Sequence, residues 1–268
     1  MHLNLSRRRF LGVAGSGVAA GAAALYGMSS NDLDVVRTNT PAGVVRGIRV
    51  ALLSDMHAPH ELVEGSELAR AVVEFDPHFV FILGDAIERS GTEALVRFYD
   101  LFPARVAKYA VLGNWEYWGA CNRAALRREY EGGGTRLLVN ASAEHDVQGL
   151  RVQIAGLDDA RASRQDLGVV ADLTRDPRAL RLVLSHCPGP FPAIAGAAPG
   201  RVHTFSGHTH GGQIAPFGRA VFTPEGSGPY VAGWYAQHQH HLYVTRGIGN
   251  SGVPFRIGSR PEVTLVTV

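Results

Sequence analysis

Five short segments carry the residues best suited to chemistry: Ser54-Asp55-Met56-His57, Gly84-Asp85, Gly113-Asn114-Trp115-Glu116, Ser185-His186 and Gly207-His208-Thr209-His210-Gly211-Gly212-Gln213. Each follows an apolar run. Taken singly each is weak, because a D-x-H occurs by chance in many chains and a lone histidine after a strand more often serves structure. Together they supply seven donors: Asp55, His57, Asp85, Asn114, His186, His208 and His210. Carboxylate, imidazole and amide oxygen suit Mn, Fe or Zn, and no thiolate is offered. Seven such groups converging from strand ends suffice for two adjacent divalent cations sharing one carboxylate. Such a pair activates water and clamps the oxygens of a reacting group.

The elements that must position them read as an alternation of apolar runs and amphipathic stretches. Residues 48–53, 79–83 and 106–112 read as buried strands, and 62–75, 92–102 and 122–131 as helices with apolar residues at helical spacing. Gly132-Gly133-Gly134 is a turn. The second half favours strands, at 137–140, 150–155, 180–184, 202–206, 241–245 and 262–268, with helical pieces at 163–173 and 190–194. Strands alternating with helices predict an α/β layered domain whose strand-end loops are free for chemistry. Residues 31–47 read as a polar linker or edge segment leading into a domain at 48–268.

The ordered series resembles the calcineurin-like metallophosphoesterases, whose pattern is D-x-H, G-D-x-x-D, G-N-H-D/E, a solitary His and G-H-x-H. The resemblance runs from about Arg49 to the C-terminus. The tail from Tyr243 to Val268 looks like that of an exported bacterial branch of small phosphoesterases. The resemblance implies a four-layer α/β/β/α sandwich of two mixed sheets flanked by helices. It also implies two divalent metal ions, one held by Asp55, His57, Asp85 and His210 and the other by Asn114, His186 and His208, with Asp85 bridging. The reaction implied is hydrolysis of a phosphate ester or pyrophosphate by a hydroxide held between the ions, so that no serine or cysteine need act. Gly207, Gly211 and Gly212 are expected to let backbone pass close to the metals.

Two positions depart from the pattern. Glu88 stands at the end of G-D-x-x-D and keeps a carboxylate. Trp115 stands where the family has the histidine that stabilises the phosphoryl group and protonates the leaving oxygen. Indole offers one N–H and no proton that titrates near neutrality, and general acid catalysis is worth about 10²–10⁴ in rate. Three accounts follow. The substrate is a pyrophosphate or activated ester that needs little protonation; or His60 or Tyr117 replaces the acid; or the protein is a non-catalytic envelope protein that binds metal and ligand. Trp115 and Glu116 are then candidate substrate contacts, Trp115 by stacking or else as packing under its loop. Gln237-His238-Gln239-His240-His241 reads as a solvated hairpin.

Residues 6–12, Ser-Arg-Arg-Arg-Phe-Leu-Gly, precede a run from Phe10 to Asn31 without formal charge, broken by glycines at 12, 15, 17, 21 and 27. This resembles a twin-arginine signal or an anchor over residues 1–30. It implies the twin-arginine export machinery as a partner, a periplasmic or outward-facing membrane-associated location, and substrates that are phosphorylated small molecules or lipid-linked. Some relatives cleave UDP-2,3-diacylglucosamine, although that reaction is expected on the cytoplasmic side. Over 268 residues, 46% apolar and 19% charged composition excludes a disordered chain. A balance of 26 basic against 24 acidic residues, formally +2, offers no nucleic-acid surface. Arg7, Arg8 and Arg9 supply that small excess. Two cysteines, Cys121 and Cys187, exclude a disulfide framework. Twelve histidines make an imidazole site worth seeking.

Overall fold

Period-two alternation in the apolar runs builds the architecture of the computed structural model, which describes residues 32–41, 43, 46–58, 65–88, 102–119 and 122–268. In β2 (Arg49–Leu53), Val50 and Leu52 turn one way and Ala51 and Leu53 the other, and all four are fully buried. In β3 (Phe79–Ile82) the pairs are Phe79 with Phe81 and Val80 with Ile82. The first member of each pairing packs against residues of the opposite sheet, such as Ile154, Leu182 and Phe205. The second packs under helices. Strands buried on both faces read as unbroken apolar runs, which is why they are legible without strict alternation.

The first sheet has the order β1-β12-β2-β3-β4-β5, with β1 at Asp34–Asn39, β4 at Ala107–Ala110, β5 at Thr135–Leu137 and β12 at Glu262–Thr267. Only β12 and β2 pair antiparallel. The second sheet adds β6 (Ala141–Val147), β7 (Leu150–Gly156), β8 (Leu180–Leu184), β9 (His203–Ser206), β10 (Gly233–Gln237) and β11 (His240–Val244). Its order is β10-β11-β9-β8-β7-β6, parallel within and antiparallel at both edges. Outside the first sheet lie α1 (Gly65–Phe75), which buries Leu68, Ala71 and Val72, and α3 (Arg123–Gly132), which buries Leu126 and Tyr130. Between β4 and α3 comes α2 (Asn114–Trp118). Outside the second sheet lie α4 (Gly168–Ala171) and α5 (Phe191–Ala197), which contribute Val170 and Ile194 to a third cluster with Val183 and Val202. Four layers result, two mixed sheets face to face and helices outside each.

Of the two readings of 31–47, linker or edge segment, residues 34–39 follow the second, as the edge strand of the first sheet. They form β1, hydrogen-bonded in parallel to β12 and tied to it by Arg246, which pairs with Asp34 at 2.6 Å and with Glu262 at 2.5 Å. β6 and β10 were not foreseen. Both are edge strands: β6 is largely polar, and β10, Gly-Trp-Tyr-Ala-Gln, is too short and mixed to show an apolar run. The helix expected at 163–173 shrinks to one turn. The segment 1–30, His60, Cys121 and nearly all of the helix expected at 92–102 lie outside the described residues. The hairpin expected near His238 is formed by β10 and β11, yet His240 and His241 are buried in it, not solvated.

Candidate metal centre

Each donor sits just past the C-terminal end of a parallel strand, where an α/β sheet opens for chemistry. Asp55 and His57 follow β2, Asp85 follows β3, and Asn114 opens α2 after β4. His186 follows β8, while His208 and His210 follow β9. All seven are buried. Asp55, His57 and His210 form one group of converging donor atoms, and Asp85, His186 and His208 another. His57 Nε2 lies 3.1 Å from His210 Nε2, and His210 Nε2 lies 3.4 Å from Asp55 Oδ1. His186 Nε2 is 3.1 Å from His208 Nδ1 and 3.3 Å from Asn114 Oδ1. Asp85 Oδ2 stands between the groups, 3.2 Å from His186 Nε2 and 3.9 Å from His57 Nε2. Its other oxygen accepts the Trp115 backbone N–H at 2.8 Å.

The donors suit divalent cations. His186 Nδ1 donates to the Leu83 carbonyl at 2.8 Å, and His208 Nε2 donates to the Glu225 carbonyl at 2.9 Å. Fixing one nitrogen of each ring as donor leaves the other as a lone pair. Those two lone pairs face each other and the Asp85 carboxylate, an arrangement of acceptors that needs a positive charge among them. A proton on His186 can supply that charge in place of a metal cation: burial opposes it, yet Asp85 outweighs burial and lifts the ring to about 10. Burial likewise opposes the Asp85 charge, and His186 still holds it at about 2. This corner of the protein is built for a cation.

The backbone is bent to bring these groups together. Asp55, His57, Asp85, His208 and His210 all have φ between 49° and 71°, the left-handed region that side chains other than glycine's seldom occupy. Strain of that kind, about 1–3 kcal/mol per residue, persists only where the surroundings over-determine it. Gly207 is one such constraint, since a Cβ there would stand 1.9 Å from Ser54 Oγ and 2.4 Å from Asp55 Oδ2. Gly211 and Gly212 prove to have another purpose. Added Cβ atoms would meet Ser259 and Arg246 at one and Ala220 at the other, so these glycines admit neighbouring chain, not the metals.

Two sequence-predicted residues separate from the site or change role, and a third stays at it. Tyr117 is corrected as an acid candidate, because its hydroxyl donates to Asp158 and it lines a different cavity with Arg123, Arg127 and Arg164. Burial and Asp158 push its phenol well above the usual range. Glu116 is corrected as a substrate contact. It is 1% exposed and accepts three backbone N–H groups, from Ala86 at 2.7 Å, Gly113 at 2.8 Å and Asp85 at 3.1 Å. It clamps the Asp85 loop to the Asn114 loop, and burial together with the Asp85 charge pushes its carboxyl up to about 7. Trp115 does face the cavity, its ring edge-on to His57 at 5.7 Å.

Sequence reasoning missed Arg256, which is fully buried. It donates to the carbonyls of Gly249 and Arg246, each at 2.9 Å, and its Nη2 lies 3.2 Å from His210 Nδ1. Ser259 Oγ donates to the His210 carbonyl at 2.6 Å. The C-terminal loop thus fixes the His210 backbone and ring. Its only sequence signal is an arginine within an otherwise small and apolar stretch. Cys187 is buried and reduced, a filler beside His186.

Asp85, Asn114, His208 and His210 form the floor of a cavity of about 520 Å³. Its walls are mostly apolar, with Trp115, Trp118, Ile214, Val221, Phe222 and Val253, and also carry Arg161 and Glu225. Trp118, Val221 and Phe222 are more than half exposed. No helix among the described residues is long and apolar enough to cross a membrane.

Comparison with known proteins agrees with this geometry. The uncharacterized metallophosphoesterase YkuE of Bacillus subtilis (strain 168) is 28% identical over 232 residues, covering 83% of this chain and 79% of that one. Phosphodiesterase YaeI of Escherichia coli (strain K12) is 46% identical over 61 residues, 22% of each chain. Among solved structures, the NAD nucleotidase NadN of Haemophilus influenzae superposes with a TM-score of 0.52 at 14% identity, over 75% of this chain and 50% of that chain, a likeness of fold alone. The family model of calcineurin-like phosphoesterases matches residues 48–212, which span both ligand groups. The chain therefore belongs to the calcineurin-like phosphoesterase family and is a dimetal-dependent metallophosphoesterase.

Proposed function

We propose that the protein hydrolyses phosphodiesters or pyrophosphates whose leaving group departs without a proton from the enzyme, and that it does so at the cell envelope. Asp55, His57 and His210 would hold one cation, His186, His208 and Asn114 the other, with Asp85 shared. Two such cations supply Lewis acidity to the phosphoryl oxygens and activate water. The chain's own residues do the rest. Glu116 holds the Asp85 and Asn114 loops in register, the Leu83 and Glu225 carbonyls set the histidine tautomers, and Arg256 and Ser259 fix His210.

One observation carries the choice of substrate. Among the described residues lining the cavity, Arg161 and Glu225 are the only titratable side chains outside the proposed ligands. Neither is a histidine, and Trp115 occupies the position from which a histidine would donate. A leaving group of low pKa, such as a phosphate or an aryl oxide, suits that site. The apolar walls support a substrate with a hydrocarbon or aromatic portion, lipid-linked phosphates among them. The charge-free run from Phe10 to Asn31 behind Arg7-Arg8-Arg9 supports export by the twin-arginine route.

The test is hydrolysis of bis-p-nitrophenyl phosphate and of a pyrophosphate by protein loaded with Mn²⁺, against an alkyl phosphate monoester. The aryl diester and the pyrophosphate should be cleaved and the monoester spared. Protein that binds two equivalents of Mn²⁺ but cleaves neither would overturn the reading.

A further inference from the structure

The cavity holds one cationic side chain that the reaction as described does not use. Arg161 is the sole Lys or Arg among the described residues that line it. It reaches there from the loop between β7 and α4, and its position is fixed from three directions. Its stem packs on Gly226, where an added Cβ would stand 3.1 Å from the Arg161 Cδ. Its guanidinium lies 5.8 Å from the centre of the Trp118 ring. Its Nη1 pairs with Glu225 Oε2.

The two members of that ion pair are unequally committed. The Arg161 side chain is 25% exposed and the Glu225 side chain 83%. A carboxylate that exposed gains little from pairing and can turn into water at small cost. The guanidinium, flanked by indole and backbone, stays behind. The backbone carbonyl of Glu225 also receives the His208 Nε2 hydrogen, so the pair directly adjoins a proposed metal ligand. A planar five-donor cation beside the reacting centre, under apolar walls that weaken water's screening, is a receptor for phosphate oxygens.

We propose that Arg161 binds a second anionic group of the substrate, next to the scissile phosphoryl, and that Glu225 occupies this subsite until the substrate displaces it. The substrate class is then a disubstituted pyrophosphate or an ester bearing a neighbouring phosphate, in preference to a diester with a single charge. This rests on the hydrolase reading above and narrows it.

Four Mn²⁺-loaded proteins test it: the natural sequence, Arg161→Ala, Arg161→Lys and Glu225→Gln. kcat/KM is measured with bis-p-nitrophenyl phosphate, one charge, and uridine diphosphate glucose, two. Arg161→Ala should lower the value for the diphosphate by about tenfold to a hundredfold, mainly through KM, and that for the diester by less than about threefold. Arg161→Lys should fall between. Glu225→Gln should raise the diphosphate value by about twofold to fivefold, because it removes the competitor. If the ion pair were only structural, Arg161→Ala and Glu225→Gln would act alike on both substrates, and that result overturns the proposal. A titration of tryptophan fluorescence with methylenediphosphonate and with inorganic phosphate, in excess Mn²⁺, reads the subsite without turnover. Arg161→Ala should lose the preference for the diphosphonate and keep its phosphate affinity; an unchanged preference overturns the proposal. Failure of the natural sequence to cleave either substrate would count against hydrolysis, while the titration would still decide the role of Arg161.

Discussion

The second sheet carries histidines at both ends of its strands, and they serve opposite purposes. At the C-terminal ends, His186, His208 and His210 face Asp55 and Asp85. At the N-terminal ends, His203 of β9 stacks on His241 of β11 at 5.4 Å and 13° between planes, beside His240, Arg46 and Arg201. Both clusters are buried. Only the first forms a group able to hold an ion among the described residues. The carboxylates make the difference. Burial pushes His57, His208 and His210 down as it does the rings of the other cluster, but the carboxylates oppose it, lift His186 and complete two donor groups for a cation. At the N-terminal end nothing among the described residues opposes burial and neighbouring positive charge. His203 is held down to about 3, first by burial and then by His241 and the arginines.

Removing the shared carboxylate should break the contrast most severely. Asp85→Asn takes from His186 and His208 the carboxylate that groups with them, leaving only the more distant charges of Asp55 and Asp159, and so moves this site toward the state of the N-terminal cluster. Mn²⁺ stoichiometry should fall below two per chain, and activity on the aryl diester should drop by more than about 10³-fold. Metal analysis after desalting, followed by the rate assay, checks this. Two bound equivalents or near-normal turnover would break the assignment of Asp85 as the shared ligand.

A smaller effect should follow from loosening the site while leaving every donor in place. Glu116→Ala strands three buried N–H groups, those of Ala86, Gly113 and Asp85. Metal affinity should fall by about 10–100-fold, as it does when residues that orient ligands are lost. Thermal stability of the metal-free protein should fall too, since each orphaned donor costs about 1–3 kcal/mol. Unchanged Mn²⁺ affinity by calorimetry would mean that the two loops hold themselves together. Trp115→His should do less to metal binding and more to scope. Turnover of an alkyl monoester should rise about tenfold or more if a proton donor is what position 115 lacks. No rise would show that tryptophan is not what narrows the substrate range.

The ease of reading these regions from sequence differed for physical reasons. Metal ligands must be particular residue types at strand ends, so Asp55, Asp85, His186 and His208 stand out beside apolar runs. β2, β3 and β8 are buried on both faces and are legible for the same reason. Glu116 was misassigned because a carboxylate next to a ligand looks alike in sequence whether it turns toward substrate or toward three backbone amides. Arg161 and Arg256 gave no usable signal, as their roles arise from contacts across 64 and 46 residues of chain, to Glu225 and His210. β1 reads only as a linker or edge segment because its faces are half buried, and its place is set by pairing with β12 at the other end of the sequence.

The N-terminal cluster yields the mildest prediction, and its sign is fixed. His203 has a folded pKa below its unfolded value of about 6.5, so it favours the folded state most above that pH. As the pH falls below 6.5, the unfolded chain takes up a proton that the folded one refuses, and stability drains at about 1.4 kcal/mol per pH unit until the folded pKa is approached. Between pH 7 and pH 5 the loss from this ring is about 2 kcal/mol. His203→Gln keeps a hydrogen-bonding group near Thr40, whose hydroxyl lies 3.1 Å from His203 Nδ1, and cannot titrate. Urea denaturation of the natural sequence and the variant at both pH values isolates the ring, because every other titrating group is common to the two. The variant should lose about 2 kcal/mol less on acidification. Equal losses would mean that His203 is protonated within the fold, and the contrast between the two ends of the sheet would then rest on geometry and not on charge.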